Sequence, residues 1–241
     1  MCEFAFMSSS DSLKRAAAAK ALEFVPEGAK LGLGTGTTAD AFIELLAEKV
    51  AEGFRVTGVP TSDRTAEKAR ALHIPLAPLD ELGLLDVTVD GADEADRNLN
   101  LIKGAGGALL KEKIVAASSR QMIVIGDGSK LVERLGAFLL PIEIIPFGHR
   151  STASRVRNVL TALGYRDAVP KLRVRDGKPF ETDCGNLIYD CALGAITDAT
   201  MLAVALGSVP GVVEHGLFIG LASLLVIARA DGIELIERPK T

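Results

Sequence analysis

From Ser12 to about Gly136, short apolar runs of strand length alternate with segments of helical period, and most of the runs stop at loops rich in Gly, Asp or Thr. This alternation constrains the fold more than any other feature. Parallel strands need a crossover between them, and the crossover helices must cover both faces of the sheet. The helix Ser12 to Phe24 is followed by the strand AKLGLG and the helix TTADAFIELLAEKV. FRVTGVP and TSDRTAEKARAL repeat the pattern, HIPLAPL and LLDVTVDGAD read as the third and fourth strands, and GALLKEKIVAAS is a helix before the strand QMIVIGDGSK. The expected core is a Rossmann-like α/β parallel sheet. Ligands of such sheets sit outside the carboxyl ends of the strands, where the loops after GLG, GVP, TVDGAD and VIGDG lie.

After about Gly136 the pattern changes. LPIEIIPFG and NLIYDCAL are strands, STASRVRNVLTALG and DATMLAVALGSVPG are helices, and KLRVRDGKPFETD alternates about an Asp176–Gly177 turn. Residues 136–208 are therefore expected to form a smaller α+β, ferredoxin-like domain. Residues 1–135 and 209–241 make the α/β domain, to which the tail from Gly211 returns.

Composition removes several functional classes. A net charge of −4, scattered basic residues and no Trp give no surface for nucleic acid. The apolar stretch GLFIGLASLLVIARA is too short and Gly-punctuated for a membrane span. Cys2, Cys184 and Cys191 are widely spaced and only three His are present, which argues against a disulfide scaffold or a zinc site and for a reducing, cytoplasmic setting. MCEFAFMSSSD has no positive n-region and makes a poor signal peptide, and Met7 is an alternative start.

Three stretches carry chemistry. GLGTGTTAD runs from a strand through a Gly-rich loop into a helix, where free N–H groups and the helix dipole favour an anion. Its glycines do not follow the dinucleotide spacing and no P-loop Lys-Ser/Thr pair is present. Thr35, Gly36, Thr37 and Thr38 suit a terminal phosphate monoester; the competing reading is a tight turn without a ligand. VDGADEAD places Asp90, Asp93, Glu94 and Asp96 within seven positions. Ala95 and Leu99 break the alternation that an EF-hand requires, so no metal site is expected. Glu94 and Asp96 read as a solvated acidic loop, whereas Asp90 and Asp93 at a strand end read as cleft residues. KGAGGALLKEKI brings Lys103 before a Gly-rich loop that allows close ligand approach. Glu112, between Lys111 and Lys113, taken alone reads as surface charge. Lys130, in GDGSK, is a weaker candidate.

Together these stretches resemble the type A ribose-5-phosphate isomerases, through GLGTGTTA, TSDRT, DVTVDGADE, KGAGGALLKEKI, LPIEIIPFG, TDCGNLI and GVVEHGLF in order. The resemblance covers nearly the whole chain after the first dozen residues. It implies interconversion of D-ribose 5-phosphate and D-ribulose 5-phosphate through an enediolate, in the non-oxidative branch of the pentose phosphate pathway. It implies no cofactor and no metal, a small-molecule sugar phosphate as the partner, and a homodimer or tetramer. It reverses the surface reading of Glu112, whose place is that of the catalytic base, beside Asp90, Asp93 and Lys103. It implies substrate contacts from Thr35, Gly36, Thr37, Thr38, Asp90, Gly91, Ala92, Asp93, Lys103, Gly104, Ala105, Gly106 and Lys130, with Lys14 in a looser part of the match. The chain departs from the family at Ala105, where Gly is common, and at Cys184 and His215, where Asn is common. A non-catalytic sugar-phosphate sensor, or a relative acting on amino-sugar phosphates or coenzyme A esters, is the rival reading. The first would need neither Glu112 nor the Asp pair, and the order of seven motifs opposes the second.

Overall fold

The computed structural model describes residues 9–238, so Cys2 and the alternative start at Met7 lie outside the described residues. Helix α1 (Ser9–Leu22) buries Ala17, Ala18 and Ala21, whose small side chains let it pack closely on the sheet. The chain then lays down β1 (Ala29–Leu33), α2 (Thr37–Ala51), β2 (Val56–Pro60), α3 (Asp63–Ala71), the short α4 (Leu79–Leu82) and β3 (Val87–Gly91). After two short strands, β4 (Glu94–Ala95) and β5 (Leu101–Ile102), come α5 (Leu109–Ala117) and β6 (Met122–Asp127).

HIPLAPL departs from expectation. It makes only one bridge, Gly58 to Leu76, and α4 follows it. Pro75 and Pro78 lack the N–H groups a ladder needs.

The second half supplies β7 (Leu140–Ile144), α6 (His149–Ala162), β8 (Lys171–Leu172), β9 (Val174–Arg175), β10 (Lys178–Pro179), β11 (Leu187–Cys191), α7 (Ala199–Gly207) and β12 (Val212–His215). It ends with β13 (Leu217–Phe218), β14 (Leu224–Arg229) and β15 (Gly232–Glu237).

The large sheet has the order β15-β14-β6-β3-β1-β2, parallel except for the edge strand β15. Leu31, Leu33, Val87, Val89 and Ile123 to Ile125 are almost wholly buried, as expected of strands covered on both faces. From β1 the chain moves outward to β2, then returns to place β3 on the other side of β1. That reversal opens a crevice beyond the carboxyl ends of β1 and β3, where GLGTGT and VDGAD lie.

The smaller sheet has the order β12-β7-β11-β8, all antiparallel, with α6 and α7 packed on one face. This βαββαβ arrangement is ferredoxin-like. Leu140, Ile142 and Ile144 join the core with the helices, while Pro141 and Glu143 alternate to the opposite face. Asp176 (φ 53°) and Gly177 (φ 76°) make the expected turn between β9 and β10. The tail returns to the large sheet later than expected. Val212–His215 pairs with β7, and only β14 and β15 rejoin the large sheet. Between the two sheets, β13, β5 and β4 form a third, three-stranded one.

Candidate active site

At the end of β1 the backbone must pass very close to β3. Gly34 N donates to Val89 O at 3.0 Å, and a Cβ on Gly34 would stand 2.2 Å from Asp90 Oδ1. Only glycine leaves room for the Asp90 carboxylate, which is wholly buried and accepts Thr35 N at 3.1 Å and Gly91 N at 2.7 Å through Oδ1. Gly36 (φ 121°) then turns the chain into α2, without a side-chain cap. The first N–H groups of α2 have no intrahelical acceptor and point at the crevice with the positive end of the helix dipole.

Thr35 differs from its neighbours. Its hydroxyl is already engaged by Thr61 and Ser62, each at 2.8 Å, and by Thr65 at 3.1 Å. It ties the first βα loop to the second, and Thr37 and Thr38 are left as the hydroxyls beside the open N–H groups.

The acidic run divides between the cleft and the scaffold. Asp93 faces the cleft and accepts Ala105 N at 2.9 Å. Glu94 and Asp96, expected to be solvated, are buried instead. Glu94 accepts Gly136 N at 2.7 Å and Phe138 N at 2.6 Å; Asp96 accepts Asn98 N, Asn100 N and Asn100 Nδ2 at 2.8 to 3.1 Å. Irregular buried backbone needs acceptors for its N–H groups, and these two carboxylates supply them.

Lys103 follows β5, with its backbone N–H on Gly216 O at 2.9 Å. Its ammonium is the cation between two carboxylates: Asp90 Oδ2 at 2.9 Å and Glu112 Oε1 at 3.2 Å, with a hydrogen bond to Gly91 O at 2.5 Å. The Asp90 contact is ionic, since Oδ2 takes no well-aligned hydrogen bond. Glu112 lies in the first turn of α5 and is 4% exposed; its Oε2 is buried and has no partner among the described residues. The surrounding K-E-K triplet is not a solvated face. Lys111 pairs with Asp63 at 2.9 Å, and Lys113 turns to Glu214 at 2.6 Å and His215 O at 2.7 Å. Consecutive helix residues are about 100° apart, so the three side chains serve three different sites.

Burial dominates the electrostatics of the triad. It pushes the Glu112 carboxyl up to about 8; Lys103 opposes the rise and Asp90 adds to it. Asp90 also moves up because of burial, against the pull of Lys103. Burial draws the Lys103 ammonium down, but Asp90 and Glu112 outweigh it, and Lys103 stays protonated. With one cation for two buried acids, one of the acids can hold a proton near neutrality and release it slightly above.

These groups meet in a cavity of about 360 Å³. Thr35, Gly36, Thr37, Thr38, Gly91, Ala92, Asp93, Lys103, Gly104, Ala105, Gly106, Glu112 and Lys130 line it, and Asp90 lies beneath. Lys14 does not line it. Lys14 stands on α1, 3.4 Å from Asp11, in a neighbouring depression that shares Thr37. Arg64 does line the cleft, from the first turn of α3, where it pairs with Asp40. Nothing in TSDRT distinguishes Arg64 from an ordinary surface cation. A larger groove of about 580 Å³ runs along the other side of α5 past Val59, Ile114 and Val115. Its walls are mostly apolar and its Asp63 and Lys111 are paired to each other, so it offers no set of reactive groups like that of the smaller cleft.

The arrangement suits an anionic ligand held at the α2 end, with a base of near-neutral pKa some way along the cleft. Comparison with known proteins identifies the family. A family model described as ribose 5-phosphate isomerase A (phosphoriboisomerase A) matches residues 57–232. Ribose-5-phosphate isomerase A of Rhodopseudomonas palustris is 57% identical over 229 residues, covering 95% of this chain and 98% of that one. A solved ribose 5-phosphate isomerase from Plasmodium falciparum superposes with a TM-score of 0.89 at 38% identity, over 95% of this chain and 100% of that one. A solved D-ribose-5-phosphate isomerase in complex with phospho-erythronic acid gives 0.88 at 38% identity, with the same coverage.

Proposed function

The chain belongs to the ribose 5-phosphate isomerase A family, and we propose that it interconverts D-ribose 5-phosphate and D-ribulose 5-phosphate with Glu112 as the base. The observation that carries the assignment is the Glu112 carboxylate, buried in the wall of the Thr37–Thr38 cleft with one oxygen unpartnered. In the open-chain aldose, Glu112 takes the proton from C2. The electron pair of that bond forms the C1–C2 double bond, and O1 gains charge and then a proton. Glu112 next returns its proton to C1, O2 gives up its own, and the ketone forms at C2.

A pKa near the working pH balances the ionised fraction against proton affinity, which suits a base that must also give the proton back. All three close contacts of the Lys103 ammonium are to protein oxygens. It therefore acts chiefly by holding Glu112 Oε1, so that Oε2 faces the carbon, and by placing positive charge close to the enediolate. Asp93 accepts sugar hydroxyls, and Asp90 fixes Lys103 from below. The 5-phosphate sits on the α2 terminus between Thr37, Thr38 and Lys130. Anchoring it there lets remote binding energy position C1 and C2.

We also read the protein as a cytoplasmic homo-oligomer. Among the described residues no helix is long and apolar enough to cross a membrane. Met201 and Val204 leave an apolar stripe exposed on α7. The reaction is tested by running it in deuterium oxide and reading C1 of the ketose by NMR. Deuterium should enter C1, because the proton on Glu112 exchanges with solvent. Ketose whose C1 stays free of solvent label after many passages through the equilibrium would favour hydride transfer and count against the enediolate.

A further inference from the structure

Arg173 lies between β8 of the smaller sheet and β9, yet its side chain ends at the loop that forms one wall of the cleft. Its backbone is clamped on both sides: N donates to Ile188 O at 2.8 Å, and O accepts Phe180 N at 2.9 Å. Asp190 grips the guanidinium in two-pronged fashion, from Nε at 2.9 Å and from Nη2 at 2.5 Å. Nη1 then donates to two successive carbonyls, Gly104 O at 2.9 Å and Ala105 O at 3.2 Å. The side chain is 13% exposed, so these bonds are little weakened by water.

Both carbonyls are the backs of peptide units whose fronts face the other way. No peptide among the described residues is cis, and in a trans peptide the N–H points opposite to the C=O. The front of the first unit, Ala105 N–H, donates to Asp93. The front of the second is the Gly106 N–H; Gly106 borders the cavity, and no acceptor among the described residues engages that group. A cation on a carbonyl draws electron density through the amide and strengthens the N–H at its other end.

We propose that Arg173, oriented by Asp190, is a positioning residue that aims and polarises the Gly104–Gly106 loop, so that the Gly106 N–H meets the charge developing on the enediolate. The smaller sheet thereby contributes to the reaction without touching the substrate. Arg173 has this role only if the cleft performs the enediolate chemistry assigned to Glu112.

The test uses Arg173→Ala and Asp190→Asn in the full chain, with four readouts. These are kcat and KM for ribose 5-phosphate, and the affinities for phospho-erythronic acid, whose carboxylate resembles the enediolate, and for inorganic phosphate. Arg173→Ala should lower kcat about 10- to 100-fold, somewhat less than direct loss of an oxyanion donor. The affinity for phospho-erythronic acid should fall alongside kcat, while KM and the affinity for inorganic phosphate change less than about threefold. Guanidinium ion at about 10 mM should restore part of kcat, since its planar donors match the vacated site, and sodium chloride should not. Asp190→Asn should show the same pattern more weakly. A kcat within twofold of wild type would overturn the proposal. So would a parallel loss of phosphate affinity, or the absence of guanidinium rescue. If Arg173→Ala is insoluble, Arg173→Lys is read in the same way. A normal Arg173→Ala beside an inactive Glu112→Gln sinks only this role, whereas a wild-type protein without turnover sinks the isomerase reading itself.

Discussion

Replacing Glu112 by Gln keeps the size and shape of the side chain and removes the titrating group, so it separates the charge from the packing. The ordinary Glu value is 4.5, and burial moves Glu112 to about 8. At ~1.4 kcal/mol per pH unit, that interval sets a ceiling of about 5 kcal/mol. The sign follows from the direction. A carboxyl whose folded value is raised binds its proton more tightly in the folded state. Its contribution to stability is complete below 4.5 and is lost as pH rises toward 8. The wild type should therefore lose stability between pH 4.5 and about pH 8, and Glu112→Gln should lose several kcal/mol less over the same range. The activity should move in the opposite sense. The wild-type kcat/KM rises with pH as Glu112 ionises, and the variant loses about 10²- to 10⁴-fold in kcat, with KM little changed. Urea unfolding at the two pH values and an ultraviolet assay of ketose formation read both effects. Equal pH dependence of unfolding in the two proteins, together with activity within tenfold, would refute both the burial argument and the assignment of the base.

Two further expectations can be checked directly. Thr38→Ala removes a hydroxyl beside the open N–H groups of α2, and should raise KM about tenfold while kcat changes less than about threefold; steady-state kinetics decide, and the reverse split would move the phosphate elsewhere. Gly34→Ala places a methyl group 2.2 Å from Asp90 Oδ1 and 2.6 Å from Asp90 Cα. It should destabilise the fold by about 1–3 kcal/mol or more and abolish most activity, measured as a lowered melting temperature and reduced kcat.

Much of this architecture was legible in the residues because it rests on local patterning. Buried runs between helices of 3.6 period imply a covered parallel sheet, and glycines at strand ends mark where ligand or backbone comes close. What was not legible depends on pairings distant in the chain. HIPLAPL has the apolar content of a strand but not the donors. Glu94 and Asp96 look solvated by type, and only their contacts with the backbone around Gly136 and Asn100 explain their burial. Thr35 lines the cleft, but no local pattern shows that its hydroxyl is held by Thr61, Ser62 and Thr65 of the neighbouring loop. The K-E-K triplet misleads because charge composition does not say which way each residue on a helix points. Arg173 is 69 residues from the carbonyl it holds, and no local pattern links them.

The strand pairing between β5 and β13 also bears on how the protein is made. Every residue that lines the cleft has been added to the chain by Lys130, yet Lys103 hangs from Gly216, and Lys113 is anchored by Glu214 and His215. β6 likewise lacks one neighbour until β14 is synthesised. During translation the nascent polypeptide thus carries a full set of reactive side chains on an unfinished frame. A message cut short before codon 214 would yield a product with every residue that lines the cleft and without the anchors of Lys103 and Lys113.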